Sequence, residues 1–508
     1  MRPGSHARLG FAGVLIACLT LALTGIHPSR GLAAHPAAVN GRRVLSGMSA
    51  DQTAVQAARK YRGLTLNVNW EQGLQEFDPE LFSGPLWTKL TGIKIHIVAV
   101  PHVDLYNKAI AEHVAGSGAY DVLSFAPSWT ADFVNDGVVE PLDSYVKKYY
   151  PVDDFQDYEP IFRNIALYNG HRYGLFDDGD TLILYYRTDL FNDPKNRVMF
   201  QKEYGYPLAV PVTVKQFQDI ADFFTKHYAP KIYGYAAPYN ADNGAWYYFD
   251  AWLRVNGGEF YDPRTMKAMI NSPAGVKTLR EMVAQTKDFP PGALNWNPVQ
   301  MFTAWMGGHL AMTSFWPPLG RWSAGYRSVA QAKQLSFLPK NVIKGKVGYA
   351  IMPGGHGEMA SGFDLGVSAD SKHKEAAYLF IQWMTSPKIS LQRVELPYAL
   401  RDPYRISHID APSYRHLWPQ APQYLDTLAK AGRTALLDNF LPGGEQYDDA
   451  LGRAIFSAFT GADPKMALDG AARKWDAITQ RLGVAKQRTA YLNYLKIPGS
   501  QVSNTFAH

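Results

Sequence analysis

Carboxylates beside aromatic rings are the side chains of this sequence best equipped for chemistry or recognition. Trp70-Glu71 closes a β-patterned run, and Asp177-Asp178-Gly179-Asp180 gathers three acids in one short turn. Trp129, Trp246, Trp252, Trp305, Trp316 and Trp322 stand near Gly, Pro, Ser or Asn, the residues of loops and helix starts. A sugar ring has apolar C–H faces and hydroxyl edges. Aromatic planes match the faces, while Asp, Glu, Asn and Arg match the edges in hydrogen-bond type. The same rings also build cores, and most of the 12 Trp and 30 Tyr are expected there. The acidic turn reads either as a solvated turn or as a set of hydroxyl acceptors. It lacks the alternating D-x-D-x-D-G pattern and closing Glu of a calcium loop. Adjacent Asp residues on one turn are also a poor source of the roughly 5–9.5 Å separation that paired carboxyls need for glycoside hydrolysis.

Signatures of catalysis are missing. The sequence contains no HExxH, GxSxG, Walker loop or GxGxxG, and its 14 His show no zinc-ligand spacing. No catalytic residue, metal or cofactor is expected. A formal charge of +6 without a long basic run gives no reason to expect a nucleic-acid partner.

Strands alternating with helices must position these loops. Leu64–Trp70 and Ile93–Val100 read as strands, with a helical stretch over 81–90 between them. Val103, Tyr106, Ile110 and Val114 recur at helical spacing, and a short strand follows at Tyr120–Phe125. That alternation predicts a parallel sheet of βαβ units, whose ligands bind beyond the carboxyl ends of the strands. Three loops become interesting on geometry alone: 70–73, Pro101-His102, and 126–129. Further along, 169–180 and 181–187 form two β-rich runs around the acidic turn. A β-run returns at 346–352, with helices expected at 374–385 and 464–482.

The beginning of the chain looks like an export signal. Arg2 and Arg8 precede an apolar stretch from Leu9 to Ile26, and the small residues Gly31-Leu32-Ala33-Ala34 follow, so cleavage is expected after 33 or 34. Leu15-Ile16-Ala17-Cys18 resembles a lipoprotein box, which makes a lipid anchor through Cys18 the alternative. The apolar run continuing through Leu23 favours ordinary cleavage. Removing residues 1–33 takes Arg2, Arg8 and Arg30 and no acid, so the formal charge falls from +6 to about +3. It also removes the single Cys, leaving a chain without disulfides and stabilised by its core.

The order of segments resembles the extracellular solute-binding proteins of bacterial ABC sugar importers, the maltose-binding-protein-like class. The resemblance is carried by Leu90-Thr91-Gly92-Ile93-Lys94-Ile95, by Tyr120–Trp129, and by Gly137-Val138-Val139-Glu140-Pro141-Leu142. It continues through Tyr173-Gly174-Leu175, Leu184–Phe191, Asn256–Phe260, Gly308–Met312, Val347–Gly355 and Gly366-Val367-Ser368. Lys374–Ala377 and Trp383–Pro387 complete the set, which covers roughly 62–485. The resemblance implies an α/β, two-lobed periplasmic-binding-protein fold of type II, with a ligand cleft between lobes that close about a hinge. It implies a signal peptide at 1–33, a leader at 34–61, and an N-terminal lobe from 62–178 with 344–386. A C-terminal lobe from 179–343 with 387–492 and a tail at 493–508 complete the division.

Carried over residue by residue, the resemblance places Trp70, Glu71, Ser128 and Trp129 in the first lobe's share of the site, and Asp178 and Asp180 at the first crossing. Tyr239, Asn240, Trp246 and Trp316 fall in the second lobe, and Phe363 and Asp364 on the return. The implied function is capture of a sugar, oligosaccharide or polyol by an exported, periplasmic monomer that delivers it to membrane permease subunits. The alternatives are a non-sugar solute, such as an amine or phosphate ester, and an exported carbohydrate-active enzyme. The chain is about 100 residues longer than a typical member, with the extra length near 396–445, including Arg401-Asp402-Pro403.

Overall fold

The computed structural model describes residues 47–150, 154–240, 244–326, 335–336, 338–355, 359–497 and 500. The export signal and Cys18 lie outside the described residues. Nine strands of four or more residues build two sheets. The first five are β1 (Thr65–Glu71), β2 (Lys94–Val100), β3 (Val122–Phe125), β4 (Leu175–Asp178) and β5 (Ile183–Arg187). They are followed by β6 (Tyr233–Ala236), β7 (Leu310–Phe315), β8 (Val347–Ala350) and β9 (Phe363–Val367). The first sheet runs β2-β1-β3-β9-β4, and the second runs β8-β5-β7-β6.

In β1, Leu66, Val68 and Trp70 are fully buried on alternate positions, the pattern of a strand pressed on a core. β1 pairs in parallel with β2 from Thr65–Lys94 to Glu71–Val100, and with β3 through Val68 and Asn69. Three carboxyl ends therefore open on one edge. Pro101 ends β2 and begins the helix His102–Val114. Pro127 opens a single 3-10 turn, Pro127–Trp129, directly after β3. Proline suits a first helical position because its missing N–H would have no partner there.

The chain crosses between sheets three times: between β4 and β5, between β8 and β9, and after the helix Lys374–Thr385. That helix is buried from Ala376 to Thr385 and packs on β3, β4, β9 and the helix Ala50–Ala58. Being enclosed on most sides, it is apolar over nearly its whole circumference. After the third crossing, the helix Ala421–Thr434 covers β5 and β8. The helix Gly444–Phe459 packs on Ala245–Val255 and also reaches the Pro127–Trp129 turn of the first sheet. The crossings run close together. Gly362 has φ 129, and a Cβ there would stand 1.7 Å from the Asp178 carbonyl oxygen, so only glycine fits.

The expected strands and helices fall within a few residues of those observed, and Ala50–Ala58 forms a helix. Two readings change. The strand Val347–Ala350, grouped with the first lobe on sequence, pairs antiparallel with β5 in the second sheet. The acidic stretch is not a solvated turn: Asp177 and Asp178 belong to β4 and are buried, because two arginines remote in sequence supply their charge partners.

Candidate functional site

Two sets of carboxylates meet near the crossings, and they differ in what compensates them. In the first, Arg393 on the helix Pro387–Glu395 donates to Asp78 at 2.6 Å and to both oxygens of Asp177, with Nη2 at 3.1 Å from Oδ2. Arg401 lies 3.0 Å from Asp177 and donates to Asp178 at 2.8 Å, while the Asp402 amide donates to the other Asp178 oxygen at 2.7 Å. Every member is buried. Breaking such a pair leaves an uncompensated charge in the interior, so the network ties β4 to the third crossing.

The second set gathers around a half-accessible imidazole. Glu71, at the end of β1, pairs with His102 at 3.4 Å, and half of the His102 side-chain surface remains accessible. Burial works to lower the pKa of that imidazole, but Glu71, with Glu445 and Asp180 behind it, outweighs burial and raises it. Trp129 donates from Nε1 to Glu445 at 2.8 Å, and the Gly443 amide donates to Asp132 at 2.8 Å. Ser128 hydrogen-bonds Asp438, whose carboxyl is pushed up to about 7 by burial. Ser128, Trp129 and Asp132 follow β3, whereas Asp438, Gly443 and Glu445 come from the C-terminal segment. These contacts therefore join the two halves across the cleft. Trp129 and Phe363 stand 6.5 and 6.4 Å from His102 between ring centroids.

Asp180 and Asp402 share a hydrogen bond. Burial and repulsion from Asp178 drive both carboxyls well up. Tyr247 is buried and feels the charges of Asp180 and Asp438, with Trp316 tilted at 6.2 Å and Trp246 edge-on at 5.4 Å. A hollow of about 550 Å³ is lined by Pro127, Thr130, Tyr168, Phe440, Asn493 and Tyr494, and none of Glu71, His102, Trp129, Asp180 and Glu445 borders it. That volume is in the range of small-ligand sites.

The residues expected on sequence separate into two groups. Glu71, Trp129 and Phe363 around His102, Ser128 beside Trp129, Asp180 on Asp402, and Trp246 and Trp316 around Tyr247 lie outside the ion pairs of Arg393 and Arg401. Trp70 does not: its ring is fully buried, donates to the Gln75 carbonyl at 3.0 Å and carries the Arg401 guanidinium 4.9 Å over its face. Asp178 is spent on Arg401. Tyr239 is core, donating to Gln285 at 2.6 Å and stacked on Phe459 at 5.3 Å. Asp364 is buried near Arg172 with neither oxygen hydrogen-bonded, and burial raises its pKa to about 8. Asn240 is half-buried with its Oδ1 unpartnered. Sequence reasoning did not place Tyr247, Asp438 or Glu445 in the site. His102 was within a loop singled out at a strand end, and that position was the available signal.

The chain matches the family described as bacterial extracellular solute-binding protein over residues 67–389. It is 25% identical over 344 residues to a probable amino-acid ABC transporter periplasmic-binding protein of Sinorhizobium fredii, covering 67% of this chain and 72% of that one. Among solved structures, it resembles an ABC transporter solute-binding protein from Agrobacterium radiobacter K84 in complex with ribitol. The TM-score is 0.66 and identity 24%, over 82% of this chain and 99% of that one. The maltose-bound MalE3 of T. maritima gives a TM-score of 0.67 at 21% identity, over 82% and 100%. No helix among the described residues is long and apolar enough to cross a membrane. The two-sheet architecture, the cleft between its halves and the match over most of the ordered chain agree, and the protein belongs to the family of bacterial extracellular solute-binding proteins.

Proposed function

We propose that the protein captures a hydroxyl-rich solute (a sugar, oligosaccharide or polyol) between its two lobes and hands it, unchanged, to the permease subunits of an ABC importer. The observation that carries this reading is the gathering of Glu71, Trp129 and Glu445 about the half-accessible His102, with carboxylates from both halves of the chain beside an aromatic ring. Aromatic faces and carboxylates are what a polyol's two kinds of surface require. The ribitol and maltose complexes of the structural relatives support it. Hinge closure over the solute, action as a monomer and a periplasmic location complete the proposal.

Thermal unfolding with a panel of sugars and polyols tests it. A ligand at 100 times its Kd adds about 2.7 kcal/mol to stability. A raised Tm with no consumption of the ligand is the expected result. Turnover of a glycoside would replace this reading with the enzymatic one.

A further inference from the structure

We propose that the 550 Å³ hollow is a second binding site, separate from the groups around His102, and that it takes a sugar acid, a hydroxyl-bearing solute with one carboxylate. Much of its wall comes from chain beyond the stretch 67–389 that matches the family.

Parts of both halves of the molecule build it. Pro127, Thr130 and Ala131 follow β3, the segment 164–170 supplies a second wall, and Phe440 with residues from 490–497 supplies a third. The walls are anchored without any ligand. Asn169 and Gly170, at φ 50 and 83, form the two-residue turn between Tyr168 and His171, which pair antiparallel. In the helix Val484–Tyr494, Gln487 donates to the Pro442 carbonyl at 2.8 Å and Tyr494 to that of Leu437 at 2.8 Å. A ligand in the hollow would touch both halves and so stabilise the arrangement that brings them together.

The lining divides by depth. Ala131, Ile165 and Tyr494 are buried and give it an apolar floor. Thr130 is also there at 3% exposure, and its hydroxyl has no hydrogen-bond partner, an uncommon state for a buried hydroxyl. The rim is exposed and polar, made by Asn164, Asn169, Asn493 and Lys496. Asn493 Oδ1 accepts from Lys496 at 3.1 Å, which leaves the Asn493 amide hydrogens and the remaining ammonium hydrogens to donate outward. Among the described residues no Asp or Glu lines the hollow, and Lys496 is its one charged side chain. A single ammonium complements a single carboxylate. Asparagine amides both donate and accept, as recognition of hydroxyls requires, and the floor with the half-buried Tyr168 and Phe440 rings suits the C–H face of a sugar. Around His102 the balance is opposite, since Glu71 and Glu445 disfavour an anion there, so charge sorts solutes between the two places.

Calorimetry on the purified protein tests this with D-glucuronate, D-galacturonate and D-gluconate, beside their neutral counterparts D-glucose, D-galactose and D-glucitol. Cyclohexanecarboxylate serves as an acid without hydroxyls. At least one sugar acid should bind about tenfold tighter than its neutral counterpart, equivalent to about 1.4 kcal/mol, and tighter than cyclohexanecarboxylate. Lys496→Gln should remove the advantage over the neutral sugar. Asn164→Trp, which sets a bulky ring on the exposed rim, should abolish binding of the acid. Both variants should melt as the unsubstituted protein does and keep its affinity for any neutral solute found by the melting screen. If none of the three acids binds, or if the preference survives both substitutions, the proposal falls. Equal binding of acid and neutral sugar would overturn the carboxylate assignment, and equal binding of cyclohexanecarboxylate would overturn the sugar.

Discussion

Trp70 and Trp129 follow the same rule in sequence and have different fates. Each stands at or just past the end of a strand of the first sheet, each donates its indole N–H, and each lies within reach of acids. Arg401 covers Trp70, and with Arg393 it neutralises the acids around it. Trp129 has no arginine over it, and the carboxylate it holds comes from the opposite half of the molecule. The difference teaches that the counter-charge, rather than the pairing of Trp with acid, separates the buried scaffold from the proposed site. Where arginine is built in, the acids are scaffold; where it is missing, they are the acids of the proposed site.

The largest expected effect breaks the scaffold side of that contrast. Arg393→Ala strips the partner from buried Asp78 and Asp177 and should cost about 3–5 kcal/mol in denaturant unfolding. A loss under about 1 kcal/mol would mean that the acids are not held ionised by it.

Asp364 gives the next effect, and its sign can be worked out. Its folded pKa of about 8 lies above its unfolded value of about 3.9, so folding retains a proton. The associated stability is fully present below the unfolded pKa and is lost as pH rises through about 8. Asp364→Asn should remove that loss, gaining on the order of a few kcal/mol at pH 8 and little at pH 4. Solute affinity should not change. A pH-independent difference in unfolding free energy would contradict the assignment.

Trp129→Ala should weaken binding by about 2 kcal/mol or more, as anchors at the centre of an interface do, with a far smaller change for a Trp246→Ala variant at the margin. Titration of both with any ligand found by the melting screen would rank them, and the reverse order would move the site. The smallest effect belongs to Glu445→Gln. Because Glu445 is solvent-accessible, its loss should change stability by no more than about 1 kcal/mol, in contrast to Arg393.

Much of this fold was readable in the chain, for local reasons. Leu66, Val68 and Trp70 alternate, Pro101 and Pro127 punctuate, and the helices at 374–385 and 464–482 fall where their periodicity puts them. The first lobe's contribution to the proposed site was readable too, because a parallel sheet brings the ends of β1, β2 and β3 to one edge whatever the rest of the chain does. The second lobe's contribution was not. Tyr239 and Tyr247 belong to similar aromatic runs and are both buried, yet one donates to Gln285 and stacks on Phe459 while the other keeps an unpartnered hydroxyl.

The sequence by itself determined a family, its alternating elements and a set of strand-end loops, since these depend on periodicity and short-range geometry. Only the tertiary structure decided which acids are neutralised. Asp177 and Asp178 are separated from Arg393 and Arg401 by more than 200 residues, and Trp129 from Glu445 by more than 300. Electrostatic compensation depends on distance in space and on local burial, and neither is written in the spacing of residues along the chain.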